Sequence, residues 1–337
     1  MKKILAVVAI VLSFVSCNNL KNAPNVENIS IDISTERFER KLFDTSATSL
    51  VKYLVQLQSI NPVFTNNFIQ NILGITSDIS ADSTAAIVNE FVKSYRSVYD
   101  SVERKFSDFS TYEKEIKLAL QYVKYYFPTY NTPNKIITYI GPADGYGDIL
   151  SAEGFLIGLH HHLGKDYPLY KTAMVQQFYP EYISRRFEPG YITINCIKNI
   201  VNDLYPEKND DKSLINQMIE KGKRLYLLQK FLPGVDEHML IGYTNEQFKD
   251  CNKHEAAIWD LFVKNNLLQT TDKSIIKNYV EEGPKTQELG DNAPGNIGSY
   301  TGWQIVKKYQ QKNNNLTPLQ LMATDAETIF QEAKYKP

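Results

Sequence analysis

Cysteine is scarce in this chain, with 3 in 337 residues and no Cys-x-x-Cys pair. That leaves no basis for a disulfide-stapled scaffold or a redox motif. Basic charge is not in excess: 37 Lys and Arg face 38 Asp and Glu, a formal net charge of −1. Without a basic stripe, nucleic acid is excluded as a partner. No Gly-x-Ser-x-Gly elbow, Walker loop, dinucleotide fingerprint or His-Glu-x-x-His occurs anywhere, so nothing announces a nucleophile, a phosphate cradle or a zinc helix. Internal repeats are missing, as are linkers rich in Pro, Gly or Ser. Beyond the N-terminus no apolar run reaches the length of a membrane span.

What is present begins at the first residues. Lys2 and Lys3 precede an unbroken apolar run from Ile4 to Leu12, followed by Ser13-Phe14-Val15-Ser16-Cys17. The run is too short for a permanent bilayer helix, and a small residue stands just before a cysteine. This pattern is a signal peptide over residues 1–16 with a lipoprotein-type cleavage site. Cys17 then becomes the acylated N-terminus of the mature chain, which attaches to a lipid membrane through two or three acyl chains. Residues 17–27 form the lipidated cysteine and a polar tether. Loss of Lys2 and Lys3 leaves 35 basic against 38 acidic side chains, a charge of −3.

Residues 28–337 read as one globular domain, with 43% hydrophobic and 12% aromatic residues to pack it. Asn28 to Phe38 alternates apolar and polar residues through Ile29, Ile31 and Ile33, the pattern of an edge strand. A helical period then governs residues 45–127, ended by Pro128. Within residues 135–337, Lys135–Ile140 is strand-like. Ile149–Leu163 reads as a strand pair, because Gly154 and Gly158 are poor in a helix interior. Helices are expected at Met174–Arg186, Thr193–Tyr205 and from Leu214 to the Pro233-Gly234 stop. Thr244 with Gln247 is a capping box opening a helix through Asn266. Thr317 with Pro318 and Gln320 caps the last helix. The fold class is α+β, mainly α-helical with a small β-sheet. Cys196 and Cys251 are read as two buried free thiols.

The loudest chemical feature is His160-His161-His162, since imidazole is the commonest metal ligand. On a strand His160 and His162 would share one face while His161 opposes them, so a zinc site would need further ligands from elsewhere. The plainer reading is a polar strand end at the surface. His254-Glu255 opens a zinc-helix pattern, but Ile258 stands where the second histidine is needed. Asp144 and Asp148 flank the Gly145-Tyr146-Gly147 turn, offering two carboxylates where Ca²⁺ wants six or more oxygens; they read as solvated acids. Glu181 and Arg185, four apart, with Arg186 beside them, read as a helix ion-pair set. Together Asp144, Asp148, Arg185 and Arg186 are the candidate partner or ligand surface. Trp303, Val306 and Tyr309 recur at helical spacing, which puts the Trp303 ring in the core with its N–H on one partner. No catalytic residue, metal or cofactor is called for by the residues alone.

Several segments carry a resemblance. Gly158-Leu-His-His-His-Leu-Gly-Lys-Asp-Tyr-Pro-Leu-Tyr170, Tyr179-Pro-Glu-Tyr182, Phe187-Glu-Pro189, Met218-Ile-Glu-Lys-Gly-Lys223, Ile241-Gly-Tyr-Thr244, Trp259 and Gly298-Ser-Tyr-Thr-Gly-Trp-Gln-Ile-Val306 resemble the gliding-motility lipoprotein GldB family of Bacteroidota. The likeness runs in order over about Ile29 to Tyr309. It implies a non-catalytic cell-envelope lipoprotein, a binding or structural component of gliding-motility or associated secretion machinery, with envelope proteins as partners. The sequence Asn18-Asn19-Leu20-Lys21 lacks the acidic cluster of surface-exported lipoproteins in that phylum. The expected location is therefore periplasm-facing, on the inner leaflet of the outer membrane in preference to the inner membrane.

The order of parts has a fainter likeness to predicted zinc peptidases, implying a degenerate zinc-peptidase-like (zincin-like) core. The helix Thr193–Tyr205 would then stand in the metal helix's place without a histidine. Gly222 would match a motif glycine, with Lys221 where a ligand carboxylate would lie. Two other functions stay open: a zinc-dependent hydrolase using His160 or His162 with distant carboxylates, and a periplasmic small-molecule or glycan binder, given 22 Tyr.

Overall fold

The computed structural model describes residues 23–207 and 212–337. The signal segment and Cys17 lie outside the described residues. The fold is mainly helical around a four-stranded mixed sheet. Strand β1 (Ser34–Arg37) leads directly into α1 (Phe38–Asp44). Next come α2 (Ala47–Ile60), α3 (Pro62–Asn66) running on into a π-helical stretch at Asn67–Ile72, α4 (Ala81–Ser94), α5 (Arg96–Lys105) and α6 (Ser110–Tyr126). The remaining strands follow as β2 (Lys135–Tyr139), β3 (Ile149–Ser151) and β4 (Gly154–Gly158). The sheet order is β1-β2-β4-β3, parallel except for the β3–β4 hairpin. Both inner strands are apolar because helices cover them: Ile136, Ile137, Phe155, Leu156 and Ile157 are all buried.

Beyond the sheet the chain is helical: α7 (Ala173–Phe178), α8 (Glu181–Ser184), α9 (Ile192–Leu204), α10 (Leu214–Phe231), α11 (Glu237–Ile241), α12 (Asn245–Lys253), α13 (Glu255–Lys264), α14 (Lys273–Val280), α15 (Ile297–Lys312), α16 (Pro318–Ala323) and α17 (Ala326–Ala333). A connected set of buried apolar side chains runs from Ile31 to Tyr335. Its densest contact is α10 against α15, and two glycines set it. A Cβ on Gly302 would lie 1.7 Å from the Met218 carbonyl oxygen, and one on Gly222 would lie 2.3 Å from the Gly302 carbonyl carbon. Gly222 is thus a helix-crossing glycine. Its neighbour Lys221 pairs with Glu207 at 2.8 Å.

Punctuation read from the sequence holds where it is local. Both capping boxes form, at Thr244/Gln247 and Thr317/Gln320, and α9 and α10 fall where expected. Cys196 and Cys251 are buried and free. Other expectations are corrected. Pro180 splits the helix expected at Met174–Arg186 into α7 and α8, because a proline has no N–H to continue the ladder. The Thr244–Asn266 helix breaks at His254, whose ring meets the Asp250 carbonyl and whose backbone turns to φ −110°, ψ 22°. The helix capped at Thr317 is followed by α17. The N-terminal edge strand is only Ser34–Arg37, although Ile31 and Ile33 are buried as their alternation implied. Trp303 is fully buried, but its indole N–H has no hydrogen-bond partner among the described residues, and the Lys307 ammonium sits 4.0 Å from a ring centroid of the indole.

Candidate functional site

Parallel strands β2 and β4 both end at the same edge of the sheet, the edge where ligand sites gather in open α/β sheets. After β4 the chain does not stay extended: Leu159–His161 is one turn of 3-10 helix. The three histidines therefore leave the backbone in different directions, and all are buried, at 0%, 3% and 1% exposure. This corrects the exposed strand end read from the sequence. Alternation failed because the strand stops at Gly158, where a Cβ would meet the His160 ring and the Gly147 carbonyl.

His162 lies deepest in a polar network. Its Nε2 contacts the Asp148 carboxylate at 2.9 and 3.1 Å, and its Nδ1 the Glu188 carbonyl at 3.1 Å. A carbonyl and an ionised carboxylate both accept, so this geometry suits a ring that donates from both nitrogens, the imidazolium. Burial alone would depress its pKa, but the Asp148 charge, its hydrogen bond and the Glu188 carbonyl together raise it above the ordinary value. Asp148 is not a solvated acid: its side chain is 3% exposed. Besides His162 it accepts from Asn195 Nδ2 at 2.8 Å and from the Gly158 N–H at 3.2 Å. Asp144, by contrast, is exposed as expected.

The other two imidazoles are neutral. Burial pushes His161 down to about 4 against the pull of the Ala143 carbonyl, 3.1 Å from its Nε2. Its ring stacks on Phe187 with centroids 4.3 Å apart. His160 is held well below the usual range by burial and by its two neighbours. Its Nδ1 accepts from the Gly141 N–H at 3.1 Å, and its Nε2 is buried with no hydrogen-bond partner among the described residues. Among the described residues no three His, Cys, Asp or Glu side chains stand together as metal ligands. His160 and His162, the imidazoles considered for zinc, are committed to separate partners.

Asn195 and Asn199 escaped the sequence reading. They stand four apart on α9, Asn195 gripping the Asp148 carboxylate and Asn199 its main-chain carbonyl at 3.0 Å. Two amides at helical spacing on one face were the available signal. Asp148 and Asn199 also border an open groove of about 800 Å³. It runs along β3, an edge strand of the sheet, to the loop at Tyr130–Asn134 and to Asn202 and Asp203.

Arg185 and Arg186 lie elsewhere. Glu181 is not their partner: its closest cation is Lys171, at 3.9 Å. Arg185 donates to the Gly242 carbonyl, and Arg186 makes a two-pronged bond to Glu282, 2.7 Å for one prong. The helix that would have set Glu181 against Arg185 ends at Ser184. Burial and the Arg186 charge lower the nearby Lys198 to about 8. Of the four residues of the candidate surface, Asp144 is thus an exposed loop acid, Asp148 has a buried carboxylate, and Arg185 and Arg186 are half-buried.

Among the described residues no helix is long and apolar enough to cross a membrane. No curated protein and no solved structure matches the chain. Residues 19–337 match the family model described as Gliding motility protein GldB, and the chain belongs to that family.

Proposed function

We propose that this gliding-motility-associated protein acts by binding, as a lipid-anchored envelope component whose contact surface is the groove along β3. The anchor is acylated Cys17, with the body facing the periplasm from the inner leaflet of the outer membrane. Its partners are envelope proteins of the motility or associated secretion machinery. One observation carries the reading: the histidine–carboxylate cluster is closed on itself while the groove beside it is open. A general base must present a lone pair to its substrate. His162 spends both nitrogens on protein acceptors, Asp148 is saturated by donors, and all three rings are shut from water. The cluster thus fits a role in holding the β4 turn, the β2–β3 loop and α9 in register under the groove.

The test places a large side chain at the exposed hairpin tip. Cells carrying Ala152→Trp in place of the wild-type protein should lose spreading or secretion while accumulating folded protein normally. Unimpaired function with the groove filled would overturn the assignment. Metabolic labelling with an alkyne fatty acid should mark the wild type and leave Cys17→Ala unmarked; a marked variant would refute the anchor.

A further inference from the structure

A second recess, of about 580 Å³, opens between the C-terminal ends of α6 and α10 and the second half of α15. Its charges do not balance. Lys307 is held by Glu237 at 2.8 Å, and the same carboxylate accepts from Gln229 at 2.6 Å. Lys230, on the same wall, has no carboxylate partner among the described residues. Its ammonium lies 5.0 Å from the Tyr226 ring centroid, and burial lowers its pKa. A partly desolvated ammonium without a counter-ion is an unfavourable state that a bound anion relieves.

The position of this recess supplies an independent observation. Ala23, the first described residue, stands on its rim. Six residue steps separate Ala23 from Cys17, and extended chain covers at most about 3.5 Å per step, so the anchor point is within about 21 Å of the rim. Tyr126 lines the recess and Tyr125 beside it is 47% exposed. Tyrosine and lysine side by side suit the headgroup layer of a bilayer, where an apolar body and a polar tip are both satisfied.

We propose that this recess binds the phosphate of an anionic phospholipid headgroup, with Lys230 as its counter-charge, so that the α6–α10–α15 end of the molecule rests on the membrane. The orientation builds on the anchoring through Cys17, but the headgroup contact is tested without it. The mature chain carrying Cys17→Ala is sedimented with phosphatidylcholine vesicles and with vesicles of phosphatidylcholine mixed with phosphatidylglycerol. Binding should require phosphatidylglycerol. Lys230→Gln should weaken it about fivefold, the effect of one lysine at an anionic surface. Gln311→Glu, which adds a negative charge on the exposed rim, should do the same without disturbing a buried group. Lys93→Gln on α4 should leave binding unchanged. An equal loss in Lys93→Gln, or sedimentation indifferent to phosphatidylglycerol, would overturn the proposal. So would titration with inorganic phosphate that depends on Lys230 in a chain that ignores both kinds of vesicle, since that describes a free-anion site. Fatty-acid labelling scores the anchor separately.

Discussion

Replacing Asp148 with asparagine keeps the shape of the side chain and removes its charge. In the wild type that carboxylate faces an imidazolium, an amide N–H₂ and a main-chain N–H, with no competing cation bonded to it. The amide of Asp148→Asn offers one accepting oxygen where three donors converge, and turns its own donors towards two of them. Removing one partner of a buried pair costs about 3–5 kcal/mol, because the remaining charge must stay desolvated or give up its proton. Unfolding entropy near about 2.1 cal/mol/K per residue amounts to about 0.7 kcal/mol/K for a chain of 337 residues. The midpoint of thermal unfolding should therefore drop by about 4–7 °C. The pH dependence sharpens the test. Folding raises the His162 pKa, so its contribution is complete below the unfolded value of about 6.5 and is lost as pH climbs through the folded value. The difference between wild type and Asp148→Asn should be largest at about pH 6 and shrink on the alkaline side. Calorimetric melts across that range decide the matter. A variant within about 1 °C of wild type at every pH would show that no buried imidazolium depends on Asp148.

His161 works in the opposite sense, because folding lowers its pKa to about 4. Wild-type stability should fall as pH drops from about 6.5 towards 4, by up to roughly 3 kcal/mol from this residue, and His161→Phe, which keeps the stack on Phe187, should flatten that acid limb in denaturant titrations. Gly302→Ala should lower the unfolding midpoint more than any surface substitution on α15, since its Cβ would fall on the Met218 carbonyl and force α10 and α15 apart; a variant with wild-type stability would contradict the close crossing. Trp303→Ala should cost about 3–5 kcal/mol through the cavity it leaves, read as a lower yield of folded protein; normal yield and melting would mean that the ring is not a core element.

The elements that could be read without coordinates are those whose causes lie within a few residues. A capping box needs only Thr244 and Gln247, and the β3–β4 hairpin needs only the Ala152-Glu153 turn and the glycine after it. Pro180 is an equally local signal, and it divides the helix expected at Met174–Arg186. The family membership was also legible, because motifs in order over nearly the whole chain need no geometry. Glycine carried two meanings that composition could not separate. Gly158 ends a strand, whereas Gly222 and Gly302 sit inside helices and let two backbones meet.

The sequence by itself therefore determined the two capping boxes, the small sheet and the kinship with gliding-motility proteins. Only the tertiary structure decided what the histidines are. Asp148 meets His162 across 14 positions and Asn195 across 47, and no periodicity reports on pairs so far apart. Whether an imidazole is charged, neutral or free to act depends on how much water it loses and which acceptors replace that water. Both are set when β4, the β2–β3 loop and α9 close around it, so the same three letters that look like a surface cluster in the chain become one imidazolium and two neutral rings in the fold.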